Sequence, residues 1–227
     1  MIKPERIAAL VPMRHHSQRV VGKNYRLLAG KPLYYHILET LMACPEIQTI
    51  VVDTDSPVIK AGLQKDFPGV VVIDRPAHLL ADTIPMNEIL LHDTSQVAAD
   101  LYLQTHSTNP LLRPQTIELA IEKYLELLET FDSLFSVTRL QTRLYWRDGS
   151  PINHNPQELL RTQDLPPVYE ENSNFYIFSR KSFFDADNSR IGLKPQMFEM
   201  NKLEAVDIDE PEDWEIAESL YRRQMNK

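Results

Sequence analysis

Cysteine is nearly missing: Cys44 is the only one in 227 residues. No intrachain disulfide can form, and a cysteine-based zinc site would need three ligands of other types. Such thiol usage fits a reducing compartment and predicts a cytoplasmic protein. Long apolar runs are lacking as well. The opening MIKPERIAALVPMRHH holds only a short hydrophobic stretch before an Arg-His cluster, which makes neither a signal peptide nor a membrane span. A soluble, unprocessed chain with no membrane partner is therefore expected. There is no block of basic residues either: the formal net charge is -8, with acids and bases interspersed, so a nucleic-acid partner is not expected. GxxxxGK[ST], GxGxxG and HExxH are all absent, which excludes a P-loop, a dinucleotide fingerprint and a zinc-protease helix. No internal repeat or low-complexity tract is evident.

What is present suits a globular fold. With 43% hydrophobic and 25% charged residues, the chain can bury a substantial core, and a single domain spanning 1-227 is the expectation. Ile7 to Val11 and Thr49 to Val52 are short apolar runs, each ending in a polar loop, as buried parallel strands do. Between them Leu33, Ile37, Leu38 and Leu41 recur at helical spacing. The alternation continues with a helix from Ser56-Pro57 to Phe67, a strand from Val70 to Ile73, a helix from Ile84 to Ala98 and a strand from Leu101 to Gln104. Thr116 to Leu128 is amphipathic, Ser133 to Thr138 and Asn174 to Ser179 return to strand, and a terminal helix starts near Pro211. Such alternation predicts an α/β fold on a mostly parallel sheet. Residues 139-172, richer in Pro, Asn, Gln and Arg, read as an excursion from that sheet.

Two segments are candidates for chemistry. The loop after the first strand carries Arg14, His15, His16, Ser17, Gln18, Arg19, Gly22, Lys23 and Asn24, at the carboxyl end of a strand where open α/β sheets bind ligands. Three cations among hydrogen-bond donors suit a triphosphate, since arginine can fork two oxygens and lysine supplies a point charge. Near the other end, Asp207 and Asp209 alternate in an extended segment and so point to one face, where they could share a hard cation. Each segment also has an ordinary explanation, a solvated basic loop and the acids that cap a helix start.

The stretch IAALVPMRHHSQRVVGKNYRLLAGKP resembles the opening signature of the acylneuraminate cytidylyltransferase (CMP-sialic acid synthetase-like) family, PARGGSKRLPGKN followed by GKP. It departs with His15 and His16 in place of two glycines, Gln18 for a lysine and Val21 for a proline. Asp74-Arg75-Pro76 with Leu80 to Thr83 is similar to RP...LA.D(T/S). The segment from Leu103 to Arg113 is similar to LLQPTSPLR with Thr108-Asn109 inserted. RTQDLPPVYEEN is similar to R.QDLP..Y..NG with Ser173 at the last glycine, and DIDEPEDWEIAE to DIDTPEDLEIAE. The Lys23-Asn24 pair is closer to the nonulosonate branch than to the Gly-Lys-Pro-Leu of enzymes activating Kdo.

The resemblance implies a three-layer, Rossmann-like nucleotidyltransferase sheet, with 139-172 as a dimerisation and substrate-covering excursion of a homodimer. It implies Arg14, Ser17, Arg19, Lys23, Asn24, Arg75 and Thr83 on the nucleotide; Gln104, Ser107 and Asn172 on the sugar; Arg143 and Arg161 reaching into a neighbouring subunit's site; and Mg2+ on Asp207 and Asp209, with Arg14, Lys23 and Asp209 central to catalysis. The expected reaction is transfer of CMP from CTP to a nonulosonic, sialic-acid-like sugar with release of pyrophosphate. Asp209, a magnesium-bound hydroxide and a loop histidine are the candidates for taking the acceptor's proton. Activation of another acid, such as Kdo or a phosphonate, and CTP binding without catalysis are the competing readings, both raised by the missing glycines.

Overall fold

A computed structural model describes residues 6–225. In chain order these form β1 (Ile7–Leu10), the two-residue strands β2 (Leu27–Leu28) and β3 (Lys31–Pro32), α1 (Leu33–Met42), β4 (Thr49–Thr54), α2 (Pro57–Asp66), β5 (Val71–Asp74), α3 (Met86–Gln96), β6 (Leu101–Thr105), α4 (Pro114–Glu126), β7 (Ser133–Leu140), β8 (Val168–Phe178), α5 (Arg180–Asp185), β9 (Pro195–Glu199) and α6 (Pro211–Met225). The larger sheet has seven strands in the order β5-β4-β1-β6-β8-β7-β9. β8 runs antiparallel to both of its neighbours, and every other pairing in that sheet is parallel.

Why β1 reads as an unbroken apolar run is clear from what covers it. Ala9 and Val11 face Ile37, Leu41, Ile117 and Ile121 of α1 and α4, while Ala8 and Leu10 face Leu90 of α3 and Phe183 of α5. With helices on both faces, a central strand has no solvent side and no reason to alternate. The result is the expected three-layer α/β arrangement. β4 lies on one side of β1 and β6 on the other, so the loops leaving β1 and β6 diverge and open a crevice at the carboxyl ends of the strands.

A third apolar cluster closes that crevice from the far end of the chain. Val20 in the loop after β1 and Leu28 of β2, with Leu33 of α1, pack on Ile208, Trp214 and Ala217. Ile208 is fully buried and Trp214 nearly so, and each such side chain contributes about 2 kcal/mol by its removal from water. This packing carries residues 207–209 to the N-terminal loop.

Sequence and structure differ mainly at boundaries and in the second half. α3 starts two residues later than expected, after Pro85, and α4 starts earlier, with Pro114 as its first residue, the helical position that needs no N–H donor. β8 begins at Val168, inside the expected excursion, because β7 and β8 pair out to Leu140 and Val168. The remainder of 139–172 is an arm with one bridge, Tyr145 to Pro151, and exposed Trp146 and Leu159. α5 and β9 escape the sequence reading: α5 is a six-residue helix, and β9 is an edge strand opening on a proline with little burial alternation. Among the described residues, no helix is long and apolar enough to cross a membrane. The opening segment read for targeting lies partly outside the described residues, which begin at Arg6.

Candidate active site

The crevice holds a cavity of about 420 Å³. Arg14, Ser17, Arg19, Lys23, Asn24, Arg75, Ser107, Asp207 and Asp209 all line it, although the first and last lie nearly two hundred residues apart in sequence. Thr83 does not line it; its neighbours Asp82 and Ile84 do.

The loop after β1 is held by specific contacts. Gly22 adopts φ +66, and a Cβ there would lie 2.7 Å from the Tyr25 ring, so this turn requires glycine. Asn24 is nearly buried: its amide donates to the Arg14 carbonyl (2.7 Å) and accepts from the Ser107 hydroxyl (2.7 Å). It therefore braces the two loops that form the crevice. Lys23 Nζ donates to the Ile208 carbonyl (2.7 Å) and lies 3.4 Å from Asp209. Arg19 forks Asp209 (2.7 Å) and Glu210 (3.1 Å), and Arg14 and Gln18 both hold Asp82. Ion pairs this exposed contribute little to stability, and their cations can exchange carboxylate for phosphate at small cost.

His15 and His16, which replace the family's glycines, have different placements. His15 stacks on Tyr25 with centroids 5.3 Å apart, its Nδ1 is 2.8 Å from Ser56 Oγ, and its backbone N–H donates to Asp55 (2.7 Å). It fastens the loop to the segment after β4. His16 lines the cavity. Neither residue has a positive φ, so this backbone does not demand glycine there.

Arg75 is nearly buried, and its guanidinium pairs with the equally buried Asp53. Behind that pair Asp93 and His92 close a compact cluster. Burial, and then the charge of Asp53, hold the Asp93 carboxyl well above the usual range. A proton retained on Asp93 gives the otherwise unpartnered Oδ2 of Asp53 a donor, leaving Asp53 the charged counterion of Arg75. Nothing in the sequence reading pointed to this cluster; Asp53 in a strand otherwise reading TIVV was the signal that could have found it.

His106, after β6, and Ser173, in β8, line the cavity from the side of the sheet opposite β5. Gln104 does not reach the cavity. It is fully buried, with its amide nitrogen 3.1 Å from His106 Nε2 and its oxygen accepting from Arg190 (2.6 Å). Since that His106 nitrogen receives a donor, the imidazole is neutral with its proton on Nδ1; burial, then the charges of Arg190 and Lys23, push its pKa down to about 3. Asn172 lies outside the lining too. Its amide bonds to Thr138, Ser136 and the Asn174 N–H, bracing the middle of β8 where its register with β7 shifts. Arg143 and Arg161 sit on the arm, bonded to the Leu160 carbonyl and to Asp164 respectively, and neither lines the cavity.

The inserted Thr108-Asn109 fixes the carboxylate segment. The Thr108 carbonyl accepts from the Ile208 N–H (3.0 Å), and Asn109 approaches Asp207 at 3.5 Å. Burial, then the charge of Asp209, hold the Asp207 carboxyl above the usual range. Two neighbouring carboxylates at the edge of a cationic cavity fit a hard, oxygen-preferring cation. Asp213 accepts from the N–H groups of Asp209 and Glu210 (3.0 and 2.7 Å), so it serves the helix start and leaves the two aspartates to the cavity.

Comparison with known proteins agrees with this geometry. The chain is 30% identical over 227 residues to CMP-N,N'-diacetyllegionaminic acid synthase of Legionella pneumophila, covering 95% of this chain and 96% of that protein. It is 24% identical to pseudaminic acid cytidylyltransferase of Campylobacter jejuni over 94% and 95% of the two chains. Against N-acylneuraminate cytidylyltransferase of Oncorhynchus mykiss it is 28% identical over 96% of its length, but spans only 50% of that protein. Its fold is similar to the solved structure of CMP:2-keto-3-deoxy-manno-octonic acid synthetase complexed with CTP, at TM-score 0.72 and 17% identity over 96% of this chain and 99% of that one. The sequence profile of the cytidylyltransferase family matches residues 8–226, and the chain belongs to that family.

Proposed function

We propose that this cytidylyltransferase transfers CMP from CTP to a carboxylated nonulosonic sugar and releases pyrophosphate. The observation that carries the reading is the convergence of Arg14, Arg19 and Lys23 with Asp207 and Asp209 in one cavity, together with relatives named for legionaminic, pseudaminic and acylneuraminic acid activation. Arg14, Arg19 and Lys23 give up their carboxylate partners and take the phosphates of CTP. Asn24 and Ser107 keep the two binding loops in register. The acceptor hydroxyl oxygen then bonds to the α-phosphorus while the bond from that phosphorus to the bridging oxygen of pyrophosphate breaks, and the hydroxyl proton leaves to a base. Alignment and charge stabilisation supply the rate, with no covalent protein intermediate. Asp207 and Asp209 would hold Mg2+, which when bound neutralises charge on the phosphates.

Assembly completes the proposal. The arm, with Trp146 and Leu159 exposed, is the contact surface of a homodimer and carries Arg143 and Arg161 toward the second copy's cavity. Pyrophosphate release from CTP, measured with Mg2+ over a panel of acceptors including N-acetylneuraminate, pseudaminate, legionaminate, Kdo and phosphonates, tests the reaction. Turnover with a nonulosonate is expected. Turnover with Kdo or a phosphonate alone would replace the acceptor, and CTP binding without turnover on any of them would replace catalysis by a binding role.

A further inference from the structure

Among the described residues, Arg190 is a half-buried guanidinium with no carboxylate in ion-pair contact. Arg190 lies in the turn between α5 and β9, with its guanidinium 3.7 Å from the centroid of the Tyr176 ring and Nη1 donating to Gln104 (2.6 Å). Among the described residues it forms no salt bridge. Glu171 is close enough to act on it, but that carboxylate accepts the Tyr176 hydroxyl. Burial lowers the Arg190 pKa from its ordinary value, though an arginine keeps its charge all the same. A half-buried cation facing a ring and a neutral amide keeps N–H donors free for an anion.

Its position indicates which anion. Gln104, which holds Arg190, is hydrogen-bonded to His106, and the hydroxyl oxygen of Tyr176, on which Arg190 stacks, is hydrogen-bonded to Ser173 Oγ (3.1 Å). His106 and Ser173 line the cavity from β6 and β8, across the sheet from the β5 side that leads to Arg75. Arg190 thus stands one residue behind that side of the cavity, on the face of the sheet shared by Tyr176 and Tyr102, while Arg14, Arg19 and Arg75 already have partners. His106, neutral beside it, adds no competing charge and offers polar contact.

We propose that Arg190 is the receptor for the acceptor's carboxylate, with Gln104 and Tyr176 setting its guanidinium in place. The assignment rests on the acidic acceptor proposed above and adds a substrate-binding residue from the chain itself, separate from the arginines of the arm.

The test compares wild type, Arg190→Gln and Arg190→Lys with a carboxylated acceptor and with its methyl ester, while calorimetry follows CTP. R190Q is expected to raise the acceptor KM about 10- to 100-fold, the usual worth of one charge-assisted bidentate contact, and to leave CTP affinity within about twofold. R190K should fall between. The decisive reading is discrimination: wild type should prefer acid over ester by a factor that R190Q loses. If R190Q keeps the wild-type preference, or if CTP affinity falls in step with acceptor binding, Arg190 is only a packing residue and the assignment is overturned. Should R190Q fail to fold, the acid-over-ester ratio of R190K decides: a reduced ratio supports the assignment and an unchanged one overturns it. Wild-type turnover confined to uncharged acceptors is a distinct failure, since it removes the acidic-acceptor reading itself.

Discussion

Where Arg14 and Arg19 line the cavity, positive charge is exposed and already paired, whereas behind His106 and Ser173 a half-buried cation has no ion-pair partner. Arg14 holds Asp82 and Arg19 holds Asp209 with both partners of each pair well exposed; Arg190 has only a ring and an amide. The first arrangement is one of exchange. A highly charged ligand that arrives and departs in every cycle is best met by cations whose present bonds cost little to break. The second arrangement is preorganised, its neutral hydrogen bonds fixed before any ligand arrives. Arg75 belongs to neither type: it lines the cavity, yet its partner is wholly buried.

The largest expected effect breaks the comparison at Arg75. Asp53→Ala leaves that guanidinium desolvated and alone, and removing one partner of a buried pair costs roughly 3–5 kcal/mol. Urea unfolding should show a loss of that size together with weakened CTP binding. A loss below 1 kcal/mol would mean that Arg75 relaxes into solvent and is as exchangeable as Arg14 and Arg19.

Lys23 is the cation of the exchange wall least exposed to solvent, and it touches the carboxylate segment as well as the cavity. Lys23→Met is expected to lower kcat/KM about 100-fold through lost charge stabilisation, with a much smaller change in the thermal midpoint. Should Arg19→Met prove as damaging in the same assay, burial would not be what distinguishes the two.

The buried cluster also sets a pH dependence. The Asp93 carboxyl is raised in the folded state, so the folded chain retains a proton that the unfolded chain gives up. Stability from this group is complete below the unfolded carboxylate pKa and is lost as pH rises through the folded value. His92, Asp53 and Arg75 are the groups that face it. Asp93→Asn keeps a donor for Asp53 without a proton to lose. The expected outcome is a gain of roughly 1–2 kcal/mol at pH 8 and a flatter profile of unfolding free energy between pH 5 and pH 8. An unchanged slope would place the proton elsewhere.

How much of this was legible follows the same division. The exchange wall is local: Arg14, Ser17, Arg19, Lys23 and Asn24 lie in one loop, and Asp207 with Asp209 in another, so strand-end position and alternation find them. That the two loops meet depends on Ile208 and Trp214 packing on Val20 and Leu28, a contact no short window contains. The buried end was read least well. Gln104 sits behind the cavity and not in its lining; Arg190 and His106 matter through register, because Gln104 pairs with Tyr176 across β6 and β8, and antiparallel pairing cannot be read from either strand alone. Asn172 was placed on the sugar by the family's R.QDLP..Y..NG pattern, but its bonds to Ser136 and Thr138 belong to the β7 and β8 ladder.

Ser173 is where the smallest predicted effect sharpens the comparison, because it belongs to the preorganised end. The sequence places serine where the family pattern has glycine, and the structure gives that residue φ +56, a left-handed conformation that costs a residue with a Cβ about 1 kcal/mol. In compensation its hydroxyl bonds to the phenol oxygen of Tyr176 (3.1 Å), the ring that carries Arg190. Ser173→Gly removes the strain and the hydrogen bond together. If the buried end is held by its hydrogen bonds, the variant gains no more than about 0.5 kcal/mol in unfolding, because the strain relieved is offset by the bond lost, and its acceptor KM rises about twofold while CTP affinity stays constant. A gain near the full 1 kcal/mol with unchanged KM would show that Tyr176 keeps its place without Ser173, and that the fixed geometry of this end rests on Gln104 and Glu171 alone.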